Sequence, residues 1–365
     1  MKHPCIVLLP SQPQKLGADE TVNTADTAYE TLIAPAIRAA GLEPLRPTGL
    51  LAERLFDEAR LAQLLDDFPG DIQRLKTDVF RARVRYAEDL KAKLATARRA
   101  GADAVATVEA ELSDIGQADA GVVIDLLLSY RAVSAWAAMI DLVARMAPPL
   151  AATVLVREQL ALALNRAGRG EEAEALLLKL IAERGASSET CGILGRVYKD
   201  RWQAARDAGD TALARGLLDQ AIGAYLQGFE ADWRDAFPGI NAVTLMELKD
   251  TPDPRQAALL PVVRYAVERR IAGGAADYWD HATRLELAVL ARDRAGAAAA
   301  LADALAQLRE GWEAESTARN LALIEAARQA RGDADDWLAG MIEALRRSAE
   351  DRAAAGREKS APVAR

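Results

Sequence analysis

The chain has 365 residues, a length that suggests two to three domains. Hydrophobic residues make up 51% of it but aromatics only 5%, so the core must be built from Ala, Leu and Val; with 27% charged residues, that mixture favours close-packed helices over sheets. A net charge of −8 excludes a general nucleic-acid binder, which needs a basic field to release counterions, though a local basic groove stays open.

No run reaches the ~18 consecutive apolar residues of a membrane-spanning helix. The apolar stretch Cys5–Leu9, closed by Pro10, is too short for a secretory signal. Cys5 and Cys191 lie far apart, and His3 and His281 have no metal-ligand spacing. Reduced thiols in a cytoplasm are therefore expected, with no metal and no cofactor.

In chain order, Cys5–Leu9 reads as a buried strand, followed by a polar loop. Asp26 caps a helix that Pro35 kinks and Gly41 ends. Leu42–Arg46 returns as a second, parallel strand, the opening of a βαβ unit. The pattern then turns helical, over Leu50–Leu65, from Asp71 through Arg99, and over Asp103–Leu112. Residues 1–70 are thus expected to form a small α/β segment, 71–117 linking helices, 118–347 helical repeats and 348–365 a disordered tail.

The repeats carry the clearest signal. Leu194-Gly195 followed by Tyr198 is a fragment of the tetratricopeptide pattern, and Ala221 with Tyr225 supplies the partner helix at the A-x3-F spacing. Successive shifts by the period of about 34 residues carry Gly195 to Ala161 and Leu127, and Tyr198 to Leu164 and Tyr130. The second-helix site Ala173 maps to Met139. Gly168 breaks one helix pair, while Ser134 stands where the previous pair would have glycine. The unit after Gly195 is longer, with extra residues around Trp202–Asp210, so its first helix is expected to overrun into solvent and turn back near Gly209. The expected fold is mainly α, a tetratricopeptide-like α-solenoid preceded by a small α/β remnant.

Three blocks, Cys191–Asp200, Tyr225–Glu230 and Phe237–Leu245, taken in order and spacing, resemble the TRAF-binding, tetratricopeptide-containing regulatory domain that precedes the kinase in apoptosis signal-regulating kinases and also occurs in stand-alone bacterial proteins. The likeness covers roughly residues 118–323. It implies a regulatory, partner-binding helical array. No kinase signature accompanies it: the chain has no Val-Ala-Ile-Lys strand, His-Arg-Asp or Asp-Phe-Gly. His3–Leu8 and Leu32–Leu45 resemble the opening of the Rossmann-like domain of the bacterial relatives, whose later strands have no counterpart. No hydrolase or glycosylase activity is expected from this truncated segment.

No nucleophile elbow, phosphate-binding loop or GxGxxG occurs, so no catalytic residue is assigned. Cys191, four residues before Gly195, reads as a packed core thiol; a redox thiol is the alternative. The register defines a binding face instead. The fourth residue after each small site gives Arg131, Asn165 and Lys199, with Arg166 and Asp200 following the last two, Arg196 one turn away, and Asn241 continuing the column. Such a mostly basic column suits an anionic ligand, and the bland reading is an ordinary charged helix face. The reading is a non-catalytic scaffold binding a protein partner in bacterial stress or defence signalling. The alternative is a sensor or processor of a nucleotide-derived small molecule. A third option is a homo-oligomer paired through the N-terminal segment; no membrane partner is expected.

Overall fold

The computed structural model describes residues 4–6, 14–15, 21–22, 34, 43–45 and 77–360, apart from 113 and 275. The chain divides into two compact units, Met1–Ala92 and Lys93–Arg365.

In the first unit, β1 (Pro4–Ile6) pairs in parallel with β4 (Glu43–Leu45), Cys5 opposite Pro44. This is the parallel pairing that the two apolar stretches predict. A second pair, β2 (Gln14–Lys15) with β3 (Thr21–Val22), is antiparallel and falls in the stretch expected to be loop. The helices expected over 26–40 and 50–65 lie outside the described residues, save Ala34, which is helical.

A long helix, α1 (Thr77–Ala100), is followed by α2 (Ala102–Glu109). Then come helix pairs: α3 (Ala120–Ala132) with α4 (Trp136–Arg145), a single turn α5 (Pro148–Ala151), and α6 (Val154–Arg166) with α7 (Gly170–Arg184). Next are α8 (Ser188–Asp207) with α9 (Thr211–Ala231), and α10 (Ala236–Glu247) with α11 (Arg255–Ala272). The series ends with α12 (Tyr278–Leu290) and α13 (Arg294–Ala306), then α14 (Gly311–Ala330) and α15 (Leu338–Ser360). It is the tetratricopeptide-like helical stack the period predicts. α15 runs past residue 348, where the amino-acid pattern suggests the start of a disordered tail.

Short polar side chains set the segmentation. Asp119, Thr153, Ser187, Asp210 and Asp235 each accept a hydrogen bond from a first-turn backbone N–H, satisfying donors that a helix start leaves bare. In every pair except α10–α11 the chain reverses through one left-handed residue. Gly168 takes this role before α7, and Ser134, with φ 56°, takes it before α4 at the place where the sequence lacks glycine.

The register holds in the packing. The small sites Leu127, Ala161 and Gly195, and the second-helix sites Met139 and Ala173, are all buried. Gly195 has the sharpest requirement. A Cβ there would meet the ring of Tyr225, a fully buried residue, at 2.6–2.8 Å. The extended unit departs from expectation. Its extra residues lengthen both α8 and α9, and their facing sides are buried at Trp202, Ala205, Ala214, Leu217 and Leu218 rather than standing in solvent.

Candidate functional site

The first helices of successive pairs turn one side toward each other, and Lys199 shows how closely. From the middle of α8 its ammonium donates to Asn241 Oδ1 on α10 and to Asn320 Oδ1 on α14, each at 3.2 Å. The second contact joins residues 121 apart in sequence. Asn320 passes the link on, donating through Nδ2 to Glu286 Oε1 on α12 at 3.0 Å. Thr244 Oγ1 donates to Glu286 Oε2 at 3.2 Å. Asn241 is oriented by its own amide, which donates to Phe237 O at 3.0 Å. A cation and a carboxylate are thus bridged by one side-chain amide inside the stack.

Lys199 is therefore not the exposed groove residue the helical column implies: only 8% of it reaches solvent. Burial pulls its ammonium down to about 8, with Arg196 and Arg319 adding to the effect and Glu286 and Asp200 opposing it. Burial likewise pushes the Glu286 carboxyl up, against the Asn320 and Thr244 hydrogen bonds and the Lys199 charge. A charge reversal at Lys199 would set a second carboxylate beside Glu286, so its effect on binding could not be separated from unfolding.

This burial has a measurable consequence. The unfolded chain, with the ammonium near its ordinary 10.5, binds more protons than the folded one between pH 8 and 10.5. Stability should rise with pH through that window, by up to about 3 kcal/mol. Urea midpoints at pH 7.5 and 9.5 should separate more for the wild type than for Lys199→Met. Equal differences would show that Lys199 is solvated.

Around this buried centre lies an accessible basic rim. Arg196 Nε donates to Asp200 Oδ1 at 2.9 Å, and Asn165 Nδ2 donates to Asp200 Oδ2 at 2.8 Å, so Asp200 ties α6 to α8. Arg166 and Arg319 are exposed. Although Arg166 is exposed as a residue, desolvation by the groups around its guanidinium, then the charge of Arg196, pulls it below its ordinary value; Asp200 opposes this and Arg319 adds to it. The Tyr225 hydroxyl is buried without a hydrogen-bond partner, and the charges of Arg196 and Asp200 both reach it. An unsatisfied buried hydroxyl costs about 1–3 kcal/mol.

The structure brings together Asn165, Arg166, Arg196, Lys199, Asp200 and Asn241 from the sequence-derived column. Arg131 takes a different partner, donating from Nη1 to Gln159 Oε1 on α6 at 2.9 Å. Four contributors escape the sequence reading: Thr244, Glu286, Arg319 and Asn320. They lie beyond the lengthened pair, where the count carried from Lys199 no longer applies. Asn165 and Lys199 are one period apart, and so are Glu286 and Asn320, but the 121 residues from Lys199 to Asn320 are no multiple of the period, so the count does not lead from one pair to the other. Cys191 is fully buried beside Gln227, and burial pushes its thiol up, which disfavours the thiolate a redox role would need. Among the described residues no helix is long and apolar enough to cross a membrane.

A family model described as MAP3K TRAFs-binding domain matches residues 42–338. No curated protein matches the chain. Among solved structures, a tetratricopeptide repeat protein from Parabacteroides merdae is similar at 11% identity and a TM-score of 0.40, over 74% of this chain and 98% of that one. A monomeric mutant of IFIT1 with Gppp-AAAA is similar at 12% identity and a TM-score of 0.40, over 63% of this chain and 54% of that one. A human IFIT1 dimer with PPP-AAAA gives 13% identity and a TM-score of 0.39, over 65% and 56%. The chain thus spans little more than half the length of the IFIT1 chains.

Proposed function

Because the chain belongs to the MAP3K TRAFs-binding domain family, whose model matches residues 42–338, we propose that it is a non-catalytic helical scaffold whose inner face binds a protein partner in bacterial stress or defence signalling. The observation that carries the binding face is the junction on α8, where Asp200 holds Arg196 and Asn165 of α6 and Lys199 reaches Asn241 and Asn320, with the positive charges of Arg166 and Arg319 felt around it. Like charges gathered at one place destabilise a fold that gains nothing from them, which points to use in binding. The signalling context is drawn from the family resemblance alone.

The deciding experiment replaces Arg196 and Arg319 together with glutamate and asks which co-purifying protein is lost. Arg319 is exposed, so its substitution should shift stability by no more than about 0.5 kcal/mol, whereas Arg196→Glu also breaks the Asp200 pair and should cost on the order of 1 kcal/mol, which the melting curve of the double variant reads. Partner affinity should fall by on the order of 2 kcal/mol, and wild-type binding should weaken as salt rises. The control is Arg215→Glu with Lys179→Glu, at side chains 76% and 71% exposed on the second helices α9 and α7. A partner retained by the Arg196/Arg319 variant, or lost equally in the control, removes the inner face from the reading.

The small-molecule alternative keeps one observation in its favour. The Lys199–Asn320 hydrogen bond ties α8 to α14 with polar groups that a compact polar ligand could compete for.

A further inference from the structure

We propose that the starts of the first helices α10, α12 and α14 form an aromatic docking edge for an arginine-bearing segment of a protein partner, seated on Trp279 and Trp312. The surface uses none of the inner-face side chains, so it goes beyond the reading of that face and stands or falls without it.

Placement of the aromatics is the first argument. The second residue of each of these helices is an exposed ring: Phe237 at 52%, Trp279 at 39% and Trp312 at 63%. α10 packs against α12 and α12 against α14, and at the latter contact the Trp279 and Trp312 rings meet, their centroids 5.6 Å apart at 39°. Their support is fixed. Tyr278 stands edge-on to Trp279 and donates its hydroxyl to Thr317 Oγ1 at 2.9 Å, a buried hydrogen bond that ties the two helices carrying the exposed rings. Aromatics are only 5% of the chain, and the area that these two tryptophans leave in water gains nothing for folding. Adjacent exposed tryptophans mark an interaction surface. Among the described residues no cation of the chain covers either ring, although Arg206 stacks over Trp202 elsewhere, at 5.1 Å.

Charge then selects the occupant. A carboxylate stands two residues before each ring, as Asp235, Asp277 and Glu310 at the helix caps. Asp235 accepts the backbone N–H of Phe237 at 3.0 Å and Asp277 that of Trp279 at 2.9 Å, so acid and ring are held side by side. Each full negative charge outweighs the half-positive charge of the helix start that it caps. Two nearby arginines are already committed, Arg270 to Asp280 and Arg234 to Asp232. Arg309 offsets one of the three cap carboxylates, which leaves the edge acidic. A second copy of the edge would bring like charges together, and a neutral apolar helix would strip water from the carboxylates without pairing them. A guanidinium meets both demands. Its plane stacks on an indole while its fork of donors reaches a carboxylate; lysine has the charge without the plane.

Isothermal titration of the full chain with a blocked glycine–serine peptide carrying spaced arginines tests the edge. The wild type should bind it saturably, one per chain and less tightly as salt rises, and a matched lysine peptide should bind more weakly. Trp279→Ala with Trp312→Ala should weaken binding roughly tenfold or more. Trp312→Ala alone, at the more exposed ring, should melt like the wild type and still lose roughly threefold, so a misfolded double variant does not leave the question open. Asp277→Asn, which keeps the helix cap, combined with Glu310→Gln should also weaken binding. Tyr265→Ala, at an exposed ring on the second helix α11, should bind like the wild type, and so should the Arg196/Arg319 reversal, which separates this edge from the inner face. Absence of saturable binding at millimolar peptide overturns the inference, as does an equal loss in Tyr265→Ala or equal binding of a peptide with glutamate in place of arginine. Sedimentation velocity supplies the remaining outcome: a wild-type dimer that the tryptophan variants dissociate assigns the edge to a second copy of this chain and overturns the arginine reading.

Discussion

Gly195→Ala should melt far below the wild type, and Gly195→Leu should not fold. The added Cβ would lie 2.6–2.8 Å from three atoms of the Tyr225 ring, closer than any real carbon contact. That ring cannot retreat easily, since it is fully buried and packs edge-on against Phe237, the centroids 6.2 Å apart. Overpacking a rigid core site costs about 1–3 kcal/mol and more for larger side chains. Gly209 is an unsuitable comparison: although its surroundings are open, its φ of +76° would strain any residue with a Cβ. Gly216 is the proper control. It sits inside α9, where an added methyl would meet nothing within 4 Å, so Gly216→Ala should raise stability by up to about 1 kcal/mol. Adding Tyr225→Leu to Gly195→Ala should recover part of the loss, a coupling that a double-mutant cycle reads directly. Gly195→Ala melting within a degree of wild type would dismantle the helix register.

The second large effect is expected at Arg328. This guanidinium is 1% exposed and holds three separate parts of the stack. Its Nε donates to Glu247 Oε1 on α10 at 2.8 Å, and its other nitrogens donate to the carbonyls of Val289 and Leu290 at the end of α12, at 3.1 and 3.3 Å. It also pairs with Asp335 in the turn before α15. Both carbonyls lie in the last turn of α12, where Val289 O already accepts the Arg292 N–H and Leu290 O has no backbone donor among the described residues, so the arginine serves as a C-terminal cap delivered from a distant helix. Arg328→Met should cost about 3–5 kcal/mol, because the neighbouring carboxylates stay buried after their cation is gone. Arg331, which donates to the same Glu247 oxygen at 2.8 Å, should soften that loss. Combining Arg328→Met with Glu247→Gln should therefore destabilise less than the two singles added together. Strict additivity in urea unfolding would mean the pair is not coupled.

These sites differ in how far the amino-acid sequence foretells them. Gly195 and Tyr225 are readable because both sit in one helix hairpin, and the reason for the glycine is a contact made within that hairpin. Asn165 and Lys199 are readable because one period separates them and adjacent repeats stack directly. The expected exposure of Lys199 fails for a physical reason: helical periodicity says which way a side chain points, not what another helix brings to meet it. Asn320 arrives from 121 residues away, after the lengthened α8–α9 hairpin has shifted the count. Arg328 is hidden on the same grounds, its carboxylate partner lying 81 residues upstream. The swollen hairpin is legible as an insertion, but not that Trp202 and Leu217 close it into a core.

The Lys199–Asn320 link also bears on how the array folds. In a simple solenoid each unit touches only its neighbours, so folding can begin anywhere and the ends can fray without disturbing the middle. A tie between α8 and α14 closes a loop that contains the whole of α9 to α13. Forming it demands an early entropic cost that local helix pairing does not repay, and once formed it prevents the intervening pairs from opening one at a time. The second half of the molecule consequently behaves less like a string of modules than like one domain with a single unfolding step, while the helix pairs before α8 keep the piecemeal dynamics of an ordinary repeat.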